Sequence, residues 1–163
     1  MLDLKNIKWL ILDVDGVMTD GRLYYSGNGE ECKVFNVKDG LGIFRVRQAG
    51  IKVAVISGRG NHALRLRLEE LKIDEILMKR PDKGAAFDEL YKKHGDGFLD
   101  SLCLGDDLPD LELFQRCRYG IAVADAVQEV ASSADLVLSK KGGEGVVREL
   151  CDLLYQCCKR SEV

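Results

Sequence analysis

Four short polar clusters punctuate the chain: Asp13-Val14-Asp15-Gly16, Ser57-Gly58-Arg59, Lys83 just after Arg80-Pro81-Asp82, and Gly105-Asp106-Asp107-Leu108-Pro109-Asp110. Grouped carboxylates in a chain with only two histidines, His62 and His94, suit a hard, oxygen-seeking cation. Mg²⁺ typically takes one or two carboxylates and fills its shell with water and substrate phosphate. A phosphate site is therefore implied. Asp13 would repel a phosphate dianion unless a metal neutralises and aligns both partners, after which its carboxylate can attack phosphorus. Asp15 can then protonate the leaving oxygen and later take a proton from the attacking water. Ser57 offers a hydroxyl and Lys83 a point charge to the phosphoryl oxygens.

These clusters need a scaffold that brings them together, and the apolar pattern supplies one. Short apolar runs predict strands near 8–13, 51–56, 75–78, 101–104, 120–123 and 135–138. Segments of helical period predict helices near 40–49, 61–71, 83–94, 108–117, 126–133 and 145–158. Their alternation predicts an α/β, Rossmann-like parallel sheet with helices on both faces, built as one domain over 1–163. In such a sheet the carboxyl ends of the strands form the ligand crevice, so the four clusters converge on one rim. One segment departs from the alternation: 22–35 carries two β-prone runs around Ser26-Gly27-Asn28-Gly29, a hairpin signal. Its Leu23, Tyr24, Tyr25, Val34 and Phe35 need a cover that a lone hairpin lacks, and a partner subunit is the expected one.

Composition narrows the partners. With 24 Lys+Arg against 27 Asp+Glu the formal charge is −3, so no basic field draws in nucleic acid or an anionic membrane. The six cysteines (Cys32, Cys103, Cys117, Cys151, Cys157, Cys158) form no C-x-x-C pair and read as free thiols of a reducing compartment. No apolar run is long enough for an export signal or a membrane span, so a cytoplasmic location is expected. Gly142-Gly143-Glu144-Gly145 lacks the spacing and the strand-helix-strand context of a dinucleotide loop.

The four clusters match, in order, the four motifs of the haloacid dehalogenase-like phosphatases, and the chain resembles that superfamily across its catalytic core. The resemblance implies an aspartyl-phosphate at Asp13 and acid/base work by Asp15. It also implies Mg²⁺ held by Asp13, the Asp15 carbonyl and Asp106, with Asp107 and Asp110 as supporting carboxylates. The intervals 17–56 and 58–82 are too short for the cap domain that most members carry.

Capless, with the hairpin, Asn36-Val37-Lys38-Asp39-Gly40 and Gly142–Glu149, the chain is similar over nearly its whole length to the family of phosphatases acting on 3-deoxy-D-manno-octulosonate 8-phosphate in lipopolysaccharide biosynthesis. That likeness implies a homotetramer whose hairpins pair centrally and whose C-terminal tail reaches a neighbouring site. It implies a small sugar acid phosphate as substrate, gripped by Asp15, Asn36, Val37, Lys38, Asp39, Gly40, Gly58, Arg59, Arg67 and Lys83. Phe44 stands where that family usually has a basic residue, with Arg45 next. The competing readings are a phosphatase of another 2-keto sugar acid phosphate, such as a nonulosonate 9-phosphate, a catalytically silent oligomerisation domain, and a receiver-type signalling domain.

Overall fold

The computed structural model describes residues 2–159. Six strands form one parallel sheet: β1 (Trp9–Leu12), β4 (Lys52–Ile56), β5 (Glu75–Leu77), β6 (Ser101–Gly105), β7 (Tyr119–Ala122) and β8 (Leu136–Val137), in the order β5-β4-β1-β6-β7-β8. Between β1 and β4 the chain makes an antiparallel hairpin, β2 (Tyr24–Ser26) and β3 (Gly29–Cys32), which forms a sheet of its own. The helices are α1 (Val37–Gln48), α2 (His62–Glu70), α3 (Lys83–His94), α4 (Leu111–Phe114), α5 (Gln128–Ser133) and α6 (Val146–Lys159).

Period-two alternation builds a core on each face of the sheet. Leu10, Leu12, Val53, Val55, Leu102 and Leu104 point to one face and pack with Ile43 and Val46 of α1, Leu64 and Leu68 of α2, and Val147, Leu150 and Leu154 of α6. Trp9, Ile11, Ala54, Ile56 and Cys103 point to the other, against Phe87 and Leu90 of α3, Phe98 and Leu113. Both faces are covered, which is why these strands are apolar throughout.

Two helices depart from the sequence pattern for local reasons. α1 starts at Val37 rather than near 40, because the Asn36 side chain caps it by accepting the Lys38 N–H. The helix expected over 108–117 is a 3₁₀ turn, Leu108–Asp110, followed by the short α4. Here Asp107 and Asp110 form a reciprocal capping box around Pro109, which tightens the entry.

Strand order reverses between β1 and β6, and the crevice outside that pair is the ligand site of doubly wound sheets. Asp13 follows β1 and Asp106 follows β6, so the topology alone brings these two carboxylates face to face. The hairpin stands off the domain: Tyr25 is 63% exposed, and Leu23, Tyr24 and Val34 are exposed as well. The apolar row continues along α1 through Val37, Leu41 and Phe44, all exposed at helical spacing. Cys32, Cys103, Cys117 and Cys151 are free thiols. Among the described residues no helix is long and apolar enough to cross a membrane. The end of the tail, 160–163, lies outside the described residues.

Candidate active site

A cleft of about 320 Å³ opens at the carboxyl ends of β1, β4 and β6. Asp13, Asp15, Ser57, Gly58, Arg59, Lys83, Asp106, Asp107 and Asp110 all line it, which brings the four sequence clusters together. Asn36–Gly40 and Arg67 do not line this cleft within one chain.

Asp13 continues β1 by donating its backbone N–H to Leu104 of β6. The chain then turns sharply: the Val14 carbonyl accepts the N–H groups of Val17, Met18 and Thr19. Gly16 at φ +89° makes this turn, and a Cβ built there would overlap the Asp106 carboxylate. Only glycine allows the loop to lie this close to Asp106.

Lys83 opens α3, at the positive end of the helix dipole, where a cation is disfavoured. Two carboxylates offset that. Its Nζ donates to Asp13 Oδ1 at 2.6 Å and to Asp110 Oδ1 at 2.5 Å, with all three side chains buried. Burial opposes the charge on Lys83, but Asp13 and Asp110 outweigh it and hold the ammonium above the ordinary lysine range. Asp110 is fully used, because its second oxygen accepts the N–H groups of Asp106 at 2.9 Å and Asp107 at 3.3 Å. Asp107 caps the following turn through Leu108 N–H.

The remaining carboxylates are under-compensated. Burial pushes Asp13 up to about 6 against the pull of Lys83. Burial, followed by repulsion from Asp13 and Asp110, pushes Asp106 up to about 8. Asp106 Oδ1 is buried with no hydrogen-bond partner. One carboxylate oxygen each from Asp13, Asp106 and Asp110 lies within 4.8 Å of the others. Three hard oxygen donors, one of them orphaned, around a single ammonium fit a small divalent cation. Asp13 and Asp106 could hold it, while Asp110 and Asp107 order the loop behind them through the hydrogen bonds above.

Ser57 is 1% exposed, and its hydroxyl accepts the Arg59 N–H at 3.3 Å. Arg59 reaches across the mouth to the Tyr25 hydroxyl at 3.1 Å and lies 3.8 Å from Asp15. Asp15 also pairs with Lys33, whose side chain is 2% exposed at the base of the hairpin. Sequence reasoning missed Lys33 and the role of Tyr25. The available signal was a lysine set in the apolar exit of the hairpin, Lys33-Val34-Phe35.

Asp39 is buried, with Oδ1 accepting the Arg148 N–H at the start of α6 at 2.8 Å. Arg67 pairs with Glu70 at 2.8 Å beside Gly40. Arg45 is held by Asp152 and lies 4.2 Å over the Tyr155 ring, while its neighbour Phe44 is exposed. Arg80 is engaged by Glu89 at 2.7 Å.

Comparison with known proteins decides the family. Residues 73–150 match the haloacid dehalogenase-like hydrolases. The 3-deoxy-D-manno-octulosonate 8-phosphate phosphatase KdsC of Haemophilus influenzae is 44% identical over 160 residues, 98% of this chain and 89% of that protein. The chain belongs to the haloacid dehalogenase-like phosphatases. Among solved haloacid dehalogenase-like structures, the cobalt-bound deoxy-D-mannose-octulosonate 8-phosphate phosphatase of Haemophilus influenzae superposes with a TM-score of 0.92 at 43% identity, over 99% of this chain and 95% of that one. The Moraxella catarrhalis 3-deoxy-D-manno-octulosonate 8-phosphate phosphatase, solved with magnesium, phosphate and KDO, gives 0.92 at 37% identity, over 98% and 92%.

Proposed function

We propose that this chain is a Mg²⁺-dependent phosphomonoesterase that hydrolyses 3-deoxy-D-manno-octulosonate 8-phosphate to the free sugar acid and inorganic phosphate. One observation carries the reading: the Asp13, Lys83, Asp110 and Asp106 cluster is complete, with Asp13, Lys83 and Asp110 buried and Asp106 half-buried, and short of positive charge, in a chain 44% identical over nearly its full length to a phosphatase of that substrate. An intact cluster of this kind argues against a silent oligomerisation domain.

In the first half-reaction an oxygen of Asp13 attacks phosphorus, the bond from phosphorus to the sugar oxygen breaks, and Asp15 gives that oxygen its proton. In the second, Asp15 takes a proton from water as that water's oxygen attacks phosphorus and the bond to Asp13 breaks, which restores Asp13 as a carboxylate and Asp15 as a carboxylic acid. Lys83 anchors Asp13 and offers charge to the phosphoryl group, with the Ser57 hydroxyl beside it. Asp13, Asp106 and the Asp15 carbonyl would hold Mg²⁺, which would supply charge neutralisation between nucleophile and phosphate. Gly58 and Arg59 at the cleft mouth face the sugar acid.

The enzyme works in the cytoplasm, in lipopolysaccharide biosynthesis, as a homotetramer. The exposed row from Tyr25 to Phe44 supports the assembly, since a partner would cover it. Asn36, Val37, Lys38, Gly40 and Arg67, away from the chain's own cleft, then become available to substrate across a subunit contact, while Asp39 stays buried against the Arg148 N–H. A phosphate-release panel with Mg²⁺ tests the substrate: 3-deoxy-D-manno-octulosonate 8-phosphate should be fastest. Equal rates on ordinary hexose phosphates would overturn the assignment.

A further inference from the structure

The Gly142-Gly143-Glu144-Gly145 turn lacks the spacing of a dinucleotide loop and does not line the catalytic cleft, yet it is packed without slack against the loop that follows Asp13 and Asp15. A Cβ built on Gly142 would overlap the Gly16 carbonyl oxygen and come within 2.9 Å of the Thr19 carbonyl oxygen. Gly143, at φ +74°, donates its N–H to the Val17 carbonyl at 3.0 Å, and a Cβ there would lie 2.6 Å from the Asp20 nitrogen. The turn is itself tied down on two sides. Asp125 Oδ1 accepts the Gly142 N–H at 3.0 Å, and the Asn36 amide donates to the Gly143 carbonyl at 3.2 Å. On its opposite side Gly16 has no room for a Cβ against Asp106. Turn, loop and metal-facing carboxylate thus form a stack of three layers in which neither glycine can grow by a methyl group.

We propose that the Gly142–Gly145 turn is a positioning element of the active site, a back wall that fixes the Asp13–Asp15 loop at its working separation from Asp106, with Gly142 and its anchor Asp125 as positioning residues. The inference rests on the reading of the site as a Mg²⁺-dependent phosphatase. Displacing Gly16 toward Asp106 changes the oxygen cage and the nucleophile together, and misplacement by about 1 Å costs on the order of a hundredfold in rate. Asn36, assigned above to the sugar, also anchors the turn at the Gly143 carbonyl, so the variants are placed at Gly142 and Asp125 and leave that bond in place.

The test uses the full chain as wild type, Gly142→Ala and Asp125→Ala. Three quantities are read: Mg²⁺ affinity by calorimetry with the metal alone, melting temperature in EDTA, and kcat and KM on p-nitrophenyl phosphate and on the sugar acid phosphate. Gly142→Ala should weaken Mg²⁺ binding and lower kcat on both substrates by about tenfold or more, with KM nearly unchanged. Asp125→Ala leaves both glycines in place, so it keeps the experiment decisive if Gly142→Ala does not fold. It should shift Mg²⁺ affinity and kcat the same way by about threefold, on the scale of one lost hydrogen bond. A folded variant that melts lower yet binds Mg²⁺ and turns over like the wild type marks a merely structural turn and overturns the proposal. Failure of the functional reading shows separately, in a wild type that neither binds Mg²⁺ nor releases phosphate.

Discussion

The ammonium of Lys33, buried at the base of the hairpin, is paired with the carboxylate of Asp15 at the mouth of the catalytic cleft. The hairpin is therefore joined to Asp15, the proposed acid/base group, as well as to Arg59 through Tyr25. Asp15→Ala should cut turnover of a sugar phosphate by about a hundredfold or more, the usual general acid/base contribution, and cost less on aryl phosphates whose leaving group needs no proton. Lys33→Met should show the same leaving-group signature at about tenfold, the scale of one charge-assisted hydrogen bond. Kinetics on paired aryl and sugar phosphates check this; equal losses on both would remove Lys33 from the positioning of Asp15.

Metal dependence follows from the orphaned Asp106 Oδ1 and the surplus of carboxylates around Lys83. Exhaustive EDTA should stop phosphate release and added Mg²⁺ should restore it, while Ca²⁺, with its looser and larger shell, should inhibit. Because Asp106 is held up at about 8, the metal must displace a proton near neutral pH, and affinity should drop by up to about tenfold per unit as the pH falls below that value. Calorimetry in buffers of different ionisation enthalpy reads the released proton. Full activity after chelation, or binding without proton release, contradicts the assignment of Asp106.

Asp39 gives a pH prediction independent of the metal. Burial pushes its carboxyl up to about 6, against the Arg148 N–H and the charges of Lys140 and Arg67, and its Oδ2 is buried without a partner. The folded chain thus holds this proton more tightly than the unfolded one, whose carboxyl titrates near 3.8. Stability from this group is full below about 4, falls as pH rises to about 6, and stays lost above, by on the order of 1–3 kcal/mol. Asp39→Asn keeps an acceptor for Arg148 and removes the titration. Melting curves of the two proteins should diverge between about pH 4 and 6, the wild type losing more; parallel curves would falsify the account.

Much of the candidate site was legible because Asp13, Ser57 and Asp106 each follow directly on a strand, and strand ends have local signals: an apolar run stopped by Asp13, by Ser57 or by Gly105-Asp106. Parallel order then sends those ends to one rim. What was not legible depends on contacts between distant parts of the chain. Nothing near Asp39 announces that Arg148 will claim it, nor near Gly142 that Gly16 will lie against it. The shortened helix after Asp110 has the same origin. Its carboxylate turns back to two amides and to Lys83, a tertiary arrangement that overrides the helical pattern of 108–117.

Assembly is the expectation attached to the hairpin. Replacing Tyr25 and Val34, both exposed on the hairpin, with Asp should yield smaller species than the wild type and weaken activity on sugar phosphates, because charge in a buried apolar contact is costly. Light scattering reads the size directly. A wild type that is monomeric at micromolar concentration contradicts the tetramer.

The central claim is a covalent phosphatase working through Asp13, and it is tested most directly by phosphate release from 3-deoxy-D-manno-octulosonate 8-phosphate with Mg²⁺, wild type against Asp13→Asn. Thermal melts should first confirm that the variant is folded. The account predicts rapid release by the wild type and none above background by the variant, since an amide is a poor nucleophile and a poorer ligand for a hard cation. Substantial turnover by folded Asp13→Asn would contradict it.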